Sequence, residues 1–222
     1  MALPTAWDVN DNSTHLSVDE NGLRVNYIGC DENIKDAVIR ADNPVPLECE
    51  LFYFETDIIK EGIIAIGFSS NFDKINKMPG CEPDSWGYHS DDGDFFNCAI
   101  INEPYGPTFT TGDTIGCCLN FINKTAFFTK NGVNLGIALR DLKNKLYPCI
   151  GLRGGSIETN FGHKKFKYAA LTDDDISDVY RAETYFILNK YDESHEEVSN
   201  LLKIDETNAW AVEASNVIVN QR

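Results

Sequence analysis

The chain of 222 residues has no C-x-x-C pair, no G-x-x-x-x-G-K-[ST] loop and no G-x-S-x-G elbow. Those gaps exclude a zinc ribbon or dithiol redox centre, a phosphate-cradling P-loop and an α/β-hydrolase nucleophile. It also has no apolar run long enough to cross a bilayer. Cations are scarce: 19 Lys and Arg stand against 35 Asp and Glu, a net charge of −16. That balance repels nucleic-acid phosphates and anionic lipid headgroups, so neither nucleic acid nor membrane is an expected partner. Histidines number only four and none is spaced for a metal. Seven cysteines, an odd number set mostly among apolar residues, are expected as buried free thiols in a reducing compartment. No charged-then-apolar leader opens the chain, which gives the cytoplasm, with nuclear access, as the expected address.

What is present is hydrophobic and aromatic material, 42% and 11% of the residues. Residues 1–170 are enough for one domain that buries about 70% of its unfolded surface, with no need of disulfides. The stretch from Thr14 to Phe161 reads as short strands punctuated by Gly and Pro, among them "ECELFYFET", "GIIAIGFSS", "DTIGCCLNFI" and "YPCIGL". Asn131-Gly132 between "TAFFTK" and "VNLGIAL" predicts a tight hairpin, because both turn positions tolerate positive φ. This grammar predicts a mainly β fold, an antiparallel β-sandwich. Period-2 alternation places Cys117 with Ile115, Leu119 and Phe121, and Cys118 on the opposite face with Gly116 and Asn120. Two adjacent thiols on opposite faces cannot share a ligand, so Cys117-Cys118 is strand, not a reaction centre.

Residues 171–222 change period. Val179, Ala182, Tyr185 and Phe186 form one helical stripe, and Trp210, Ala214, Val217 and Ile218 another. A C-terminal α-helical extension is expected, docked on the sandwich or on another chain through self-association.

In order along the first 165 residues run "LPTAWDVNDNSTHLSV", "LRVNYIG", "AVIRADNPVP", "FYFETDI", "MPG", "SWGYHSDDG", "PYGPTFTTGDTIGCCLNFINKTAFFTKNGVNLGIAL", "LYPCIGL" and "ETNFG". This ordered set closely resembles the SPRY domain of the Ran-binding protein M family. The resemblance implies a bent sandwich, without catalytic activity or cofactor, whose loops at one end hold a short linear peptide of a partner protein. It assigns that surface to Arg40, Ala41, Asp42, Asn43 and Pro44, to Asp91, Asp92 and Phe96, and to Leu152, Arg153, Gly154 and Gly155. The tail departs from the LisH and CTLH helices of that family and resembles about one and a half tetratricopeptide repeats. An adaptor is therefore the leading expectation, and a substrate-recruiting subunit of a ubiquitin ligase the alternative. An enzyme built on His89 with Asp91 or Asp92 is the remaining reading. Against it, "SDDG" suits a turn whose aspartates bond their own backbone.

Overall fold

Strands form where β-branched and aromatic residues alternate with small or polar ones, and they stop where positive-φ residues allow the chain to reverse. The computed structural model describes residues 2–10, 13–29, 35–46, 49, 51–70, 77–98, 101–143 and 145–168. The chain divides after Phe161, and the first unit is the one built here. Its strands are β1 (Leu16–Val18), β2 (Arg24–Tyr27), β3 (Ala37–Arg40), β4 (Leu51–Lys60), β5 (Ile63–Ser69), β6 (Ser85–His89) and β7 (Asp94–Asn97). They continue as β8 (Ile101–Pro104), β9 (Thr114–Asn120), β10 (Thr125–Lys130), β11 (Val133–Arg140), β12 (Tyr147–Arg153) and β13 (Ser156–Asn160). One sheet runs β1-β2-β13-β4-β9-β10-β11, the other β3-β12-β5-β6-β7-β8, and each pairing is antiparallel. The expected two-sheet antiparallel β fold is what forms. The helical extension and its repeat-like pattern lie outside the described residues.

The core is the alternate set from each sheet. Phe52 and Phe54 of β4, Cys117 and Leu119 of β9 and Phe128 of β10 share one cluster with Ile64, Ile66 and Phe68 of β5 and Ile150 and Leu152 of β12. Each such aromatic or aliphatic side chain contributes roughly 1.5–3 kcal/mol by leaving water. Pairing bears out the split of the two thiols. Cys117 lies between Phe54 and Phe128, while Cys118 lies between Tyr53 and Phe127. Both are fully buried.

The hairpin turn is as expected, with φ of 52° at Asn131 and 79° at Gly132. The loop before β9 is fastened to it through Asp113. That carboxylate accepts from the Thr110 amide at 2.9 Å and from Asn131 Nδ2 at 2.8 Å, and it pairs with Lys130 Nζ at 3.1 Å. A less regular device joins β10 to β11, where the register shifts twice. There the Phe128 amide donates to the Tyr105 hydroxyl at 3.0 Å, and that hydroxyl donates to the Gly136 carbonyl at 2.5 Å. A side chain thus completes a ladder that the backbone leaves open.

Candidate functional site

The face of the six-stranded sheet turned away from the core carries Arg40, Phe96 and Arg153 of the residues singled out in the sequence, and most of the others lie in loops and turns beside it. Strand register sets them in rows. Arg40 pairs with Cys149, Cys149 with Gly67, Gly67 with Gly87 and Gly87 with Phe96. The next outward row is Val38, Gly151, Ala65 and His89. Three positions of these rows are glycine: a Cβ on Gly67 would strike the Trp86 backbone of β6, and for Gly87 and Gly151 the reason lies above them. Residues 77–81 form a strap across the sheet: a Cβ on Gly151 would collide with the Met78 thioether, and one on Gly87 with the Pro79 carbonyl. Gly80 takes φ of 90°, and a side chain there would run into Phe96. Polar contacts fix the strap along its length. The Met78 amide donates to Asp36 Oδ2 at 3.4 Å, His89 Nε2 reaches the Pro79 carbonyl at 2.8 Å, and the Gly80 amide donates to Ser85 Oγ at 2.8 Å.

Beside the strap the charges are already partly matched. Arg153 donates through Nε at 2.9 Å and Nη2 at 2.5 Å to Asp36 Oδ1, and its side chain stays well exposed. Asp91 and Asp92 occupy the exposed turn after β6. The Asp94 amide donates to Asp92 Oδ1 at 2.9 Å, and Gly93 turns the chain at φ of 77°. Phe96 is half-buried, its ring stacked on His89 with centroids 3.9 Å apart. Burial lowers the His89 pKa, and the Pro79 carbonyl, Asp92, Asp91 and Asp36 pull it the other way without prevailing. Because a carbonyl only accepts, Nε2 carries the proton and donates it to Pro79. A ring held between Phe96 and the strap is a spacer, and the acid–base reading of His89 finds no support in its surroundings. Among the described residues no group of three or more His, Cys, Asp or Glu is placed to hold a metal ion. Cys81, in the strap, has its pKa raised by burial and then by Asp36, which keeps the thiol protonated.

Arg40 faces the same way but stands at the other end. Its guanidinium lies 5.1 Å over the Tyr147 ring. Four residue steps along β12 lead from its partner Cys149 to Arg153, about 13 Å at the usual rise of a strand. The loop that follows Arg40 is tied to the N-terminal segment. Asp42 accepts from the Thr5 amide at 3.0 Å and the Thr5 hydroxyl at 2.9 Å, while Trp7 bridges to Ala41. The side chains of Ala41 and Leu152 are wholly inside the core, so only their backbone faces a ligand. Asn43 and Pro44 are half-buried. Gly154 and Gly155 take φ of 87° and 78° where β12 turns into β13, a conformation that glycine adopts freely. The residues expected on one surface therefore fall into two groups. Asp91, Asp92, Phe96, Arg153, Gly154 and Gly155 gather around the strap, and Arg40 to Pro44 lie at the opposite end of the β3·β12 ladder. Asp36, His89 as a spacer and the strap itself were not singled out as site residues. The one signal for them was alternation, since "GIIAIGF", "SWGYH" and "CIGLR" each set glycine where an outward side chain belongs.

Comparison with known proteins agrees with this architecture. The SPRY domain model matches residues 51–164. The chain is 45% identical over 177 residues to the Ran-binding proteins 9/10 homolog of Drosophila melanogaster, covering 77% of this chain and 18% of that protein. It is 44% identical over 172 residues to human Ran-binding protein 9, covering 75% and 24%. With the Arabidopsis thaliana Ran-binding protein M homolog the identity is 36% over 173 residues, covering 75% and 37%. This chain thus spans well under half the length of those relatives. Among solved structures, a human SPRY domain superposes with a TM-score of 0.60 at 26% identity, over 68% of this chain and 98% of that one. The SPRY domain of human HERC1 gives 0.59 at 21% identity, over 72% and 99%, and speaks for the fold alone. The family model covers just over half of the sequence, on the strands that build the two sheets: the chain belongs to the SPRY domain family and is homologous in this domain to Ran-binding proteins 9, 10 and M.

Proposed function

We propose that this chain is a non-catalytic adaptor that holds a short peptide of a partner protein on the outward face of the six-stranded sheet, at the end carrying Arg153. The observation that carries the reading is the strap seated on glycines between the Arg153–Asp36 pair and the Phe96–His89 stack. The half-buried Phe96 ring that the strap holds against His89 supplies an apolar wall, Arg153 an exposed planar donor fork, and Gly154-Gly155 backbone without side chains in the way. A surface that is rigid before binding loses little entropy when it is occupied.

Arg40 serves as a distal contact. Its row crosses four strand spacings to reach Phe96, about 19 Å, which an extended peptide of about six residues covers. Peptide arrays on the full chain, followed by titration calorimetry of a selected peptide, test the reading. Phe96→Ala and Arg153→Ala are each expected to weaken binding by about 1–3 kcal/mol, as central contacts do. Arg40→Ala is expected to weaken only peptides of about six residues or longer. Wild-type affinity in folded Phe96→Ala and Arg153→Ala variants would remove the peptide from this face.

A further inference from the structure

The edges of the two sheets differ in how they meet water. β1 has three residues, and β3 and β8 have four each. The free side of β3 is covered, since the amides of Asp8 and Ser13 donate to the Arg40 and Val38 carbonyls at 2.8 and 3.3 Å. β11, the last strand of the seven-stranded sheet, has eight residues and no strand beyond it among those described. Val133 is 63% exposed and Ile137 48%, and Asn134, Gly136 and Arg140 are exposed as well. A strand of this length with no strand beyond it among the described residues presents backbone donors and acceptors to another strand, the Gly136 amide excepted, which donates to Asn134 Oδ1 at 2.8 Å.

Charge is distributed unevenly around it. Residues 114–153 carry six cations and a single acid, Asp141, inside a chain whose net charge is −16, although Lys143 and Arg153 among them are paired with Asp84 and Asp36. Lys130, at one end of β11, is engaged by Asp113. At the other end Arg140 pairs across the ladder with Thr125, directly after Lys124, and both cations are exposed. The acidic protein therefore shows a cationic end of β11, made by Arg140 and Lys124, with exposed apolar side chains along the strand.

We propose that β11 receives an extended acidic segment of a partner protein by strand addition. Backbone pairing supplies affinity, apolar side chains of the segment meet Ile137 or Val133, and its carboxylates lie near Arg140 and Lys124. A second copy of this chain is a poorer occupant, because it sets cations against cations at this edge and −16 against −16 overall. The two register shifts bend the strand, which discourages indiscriminate edge-to-edge pairing and fixes the register of a short guest. This surface is separate from the strap and uses none of its residues.

The test uses the full chain and capped heptapeptides in which valine alternates with glutamate, glutamine or lysine. The glutamate peptide is expected to bind about tenfold or more tighter than the glutamine peptide, with the lysine peptide weakest. Methylation of alternate backbone amides is expected to abolish binding. Ile137→Lys is expected to weaken it by about tenfold, and Arg140→Glu to reverse the order of the glutamate and lysine peptides. Circular dichroism confirms that both variants are folded. The proposal is overturned if no peptide is retained, if glutamate and lysine peptides bind alike, or if the methylated peptide binds like its parent. It is also overturned if the peptide selected for the six-stranded sheet competes, or if light scattering shows a dimer that Ile137→Lys dissolves.

Discussion

The two thiols at 117 and 118 illustrate how much one side chain's neighbours decide. Both are fully buried, on opposite faces of β9, and burial raises the Cys117 pKa well above its ordinary value. Serine at either position would bury a hydroxyl in place of a weakly polar sulfur. Cys117→Ser and Cys118→Ser are expected to lower unfolding free energy by about 1–3 kcal/mol in urea titrations while leaving peptide affinity unchanged. Lost affinity in a variant of normal stability would show the thiols to be more than packing. His89 adds a pH dependence of known sign. Its folded pKa lies below the ordinary 6.5, so above that pH both states are neutral and stability is complete. As the pH falls below 6.5, the unfolded chain takes up a proton that the folded one refuses, and stability declines toward the folded pKa. His89→Gln keeps a donor for the Pro79 carbonyl and does not titrate. Thermal midpoints between pH 7 and pH 5 should therefore drop less in this variant than in the parent. The thiols' placement was legible in the sequence, because alternation alone assigns faces. The role of His89 was not, because its partners come from a strap and a strand that only the fold brings near.

At the scale of the element, local chemistry was readable and long-range pairing was not. Asn131-Gly132 announced its turn, and "DTIGCCLNFI" and "TAFFTK" became β9 and β10 close to their expected bounds. Nothing local states that β13 inserts between β2 and β4, or that β12 lies between β3 and β5. The site inherits that blindness: Arg40 and Arg153 share a face, as the adaptor reading requires, but the β3·β12 register sends them to opposite ends. The Tyr105 hydroxyl in the β10·β11 ladder is likewise invisible from sequence, since it bridges residues 23 and 31 positions away. Tyr105→Phe removes that bridge and leaves the Phe128 amide without its acceptor. A loss of about 1–3 kcal/mol in stability is expected, with faster hydrogen exchange at Phe128 than elsewhere in β10. Unchanged exchange at Phe128 would mean that water or the backbone replaces the hydroxyl at no cost.

For the whole molecule the leading quantity is charge. A net −16 repels itself most when the chain is compact. Raising salt from 0.01 M to 0.15 M shortens the screening length from about 30 Å to about 8 Å. The thermal midpoint is expected to rise over that range, as differential scanning calorimetry would record. A flat response would indicate that local pairs such as Lys130–Asp113 and Arg153–Asp36 already balance the repulsion.

The strap also has a bearing on how this molecule varies. Met78 and Pro79 rest on bare backbone at Gly151 and Gly87, not in sockets shaped by side chains. Where a segment sits on a socket, any change in it demands a compensating change beneath. Here the floor must stay glycine, because any Cβ on it would strike the strap. Gly80 has no room for a side chain, and Met78 and Pro79 are packed on the sheet. Change in the strap is therefore confined to residues such as the exposed Lys77, while the aromatic interior below is left untouched. The strap and the aromatic interior thus meet across two glycines, Gly87 and Gly151.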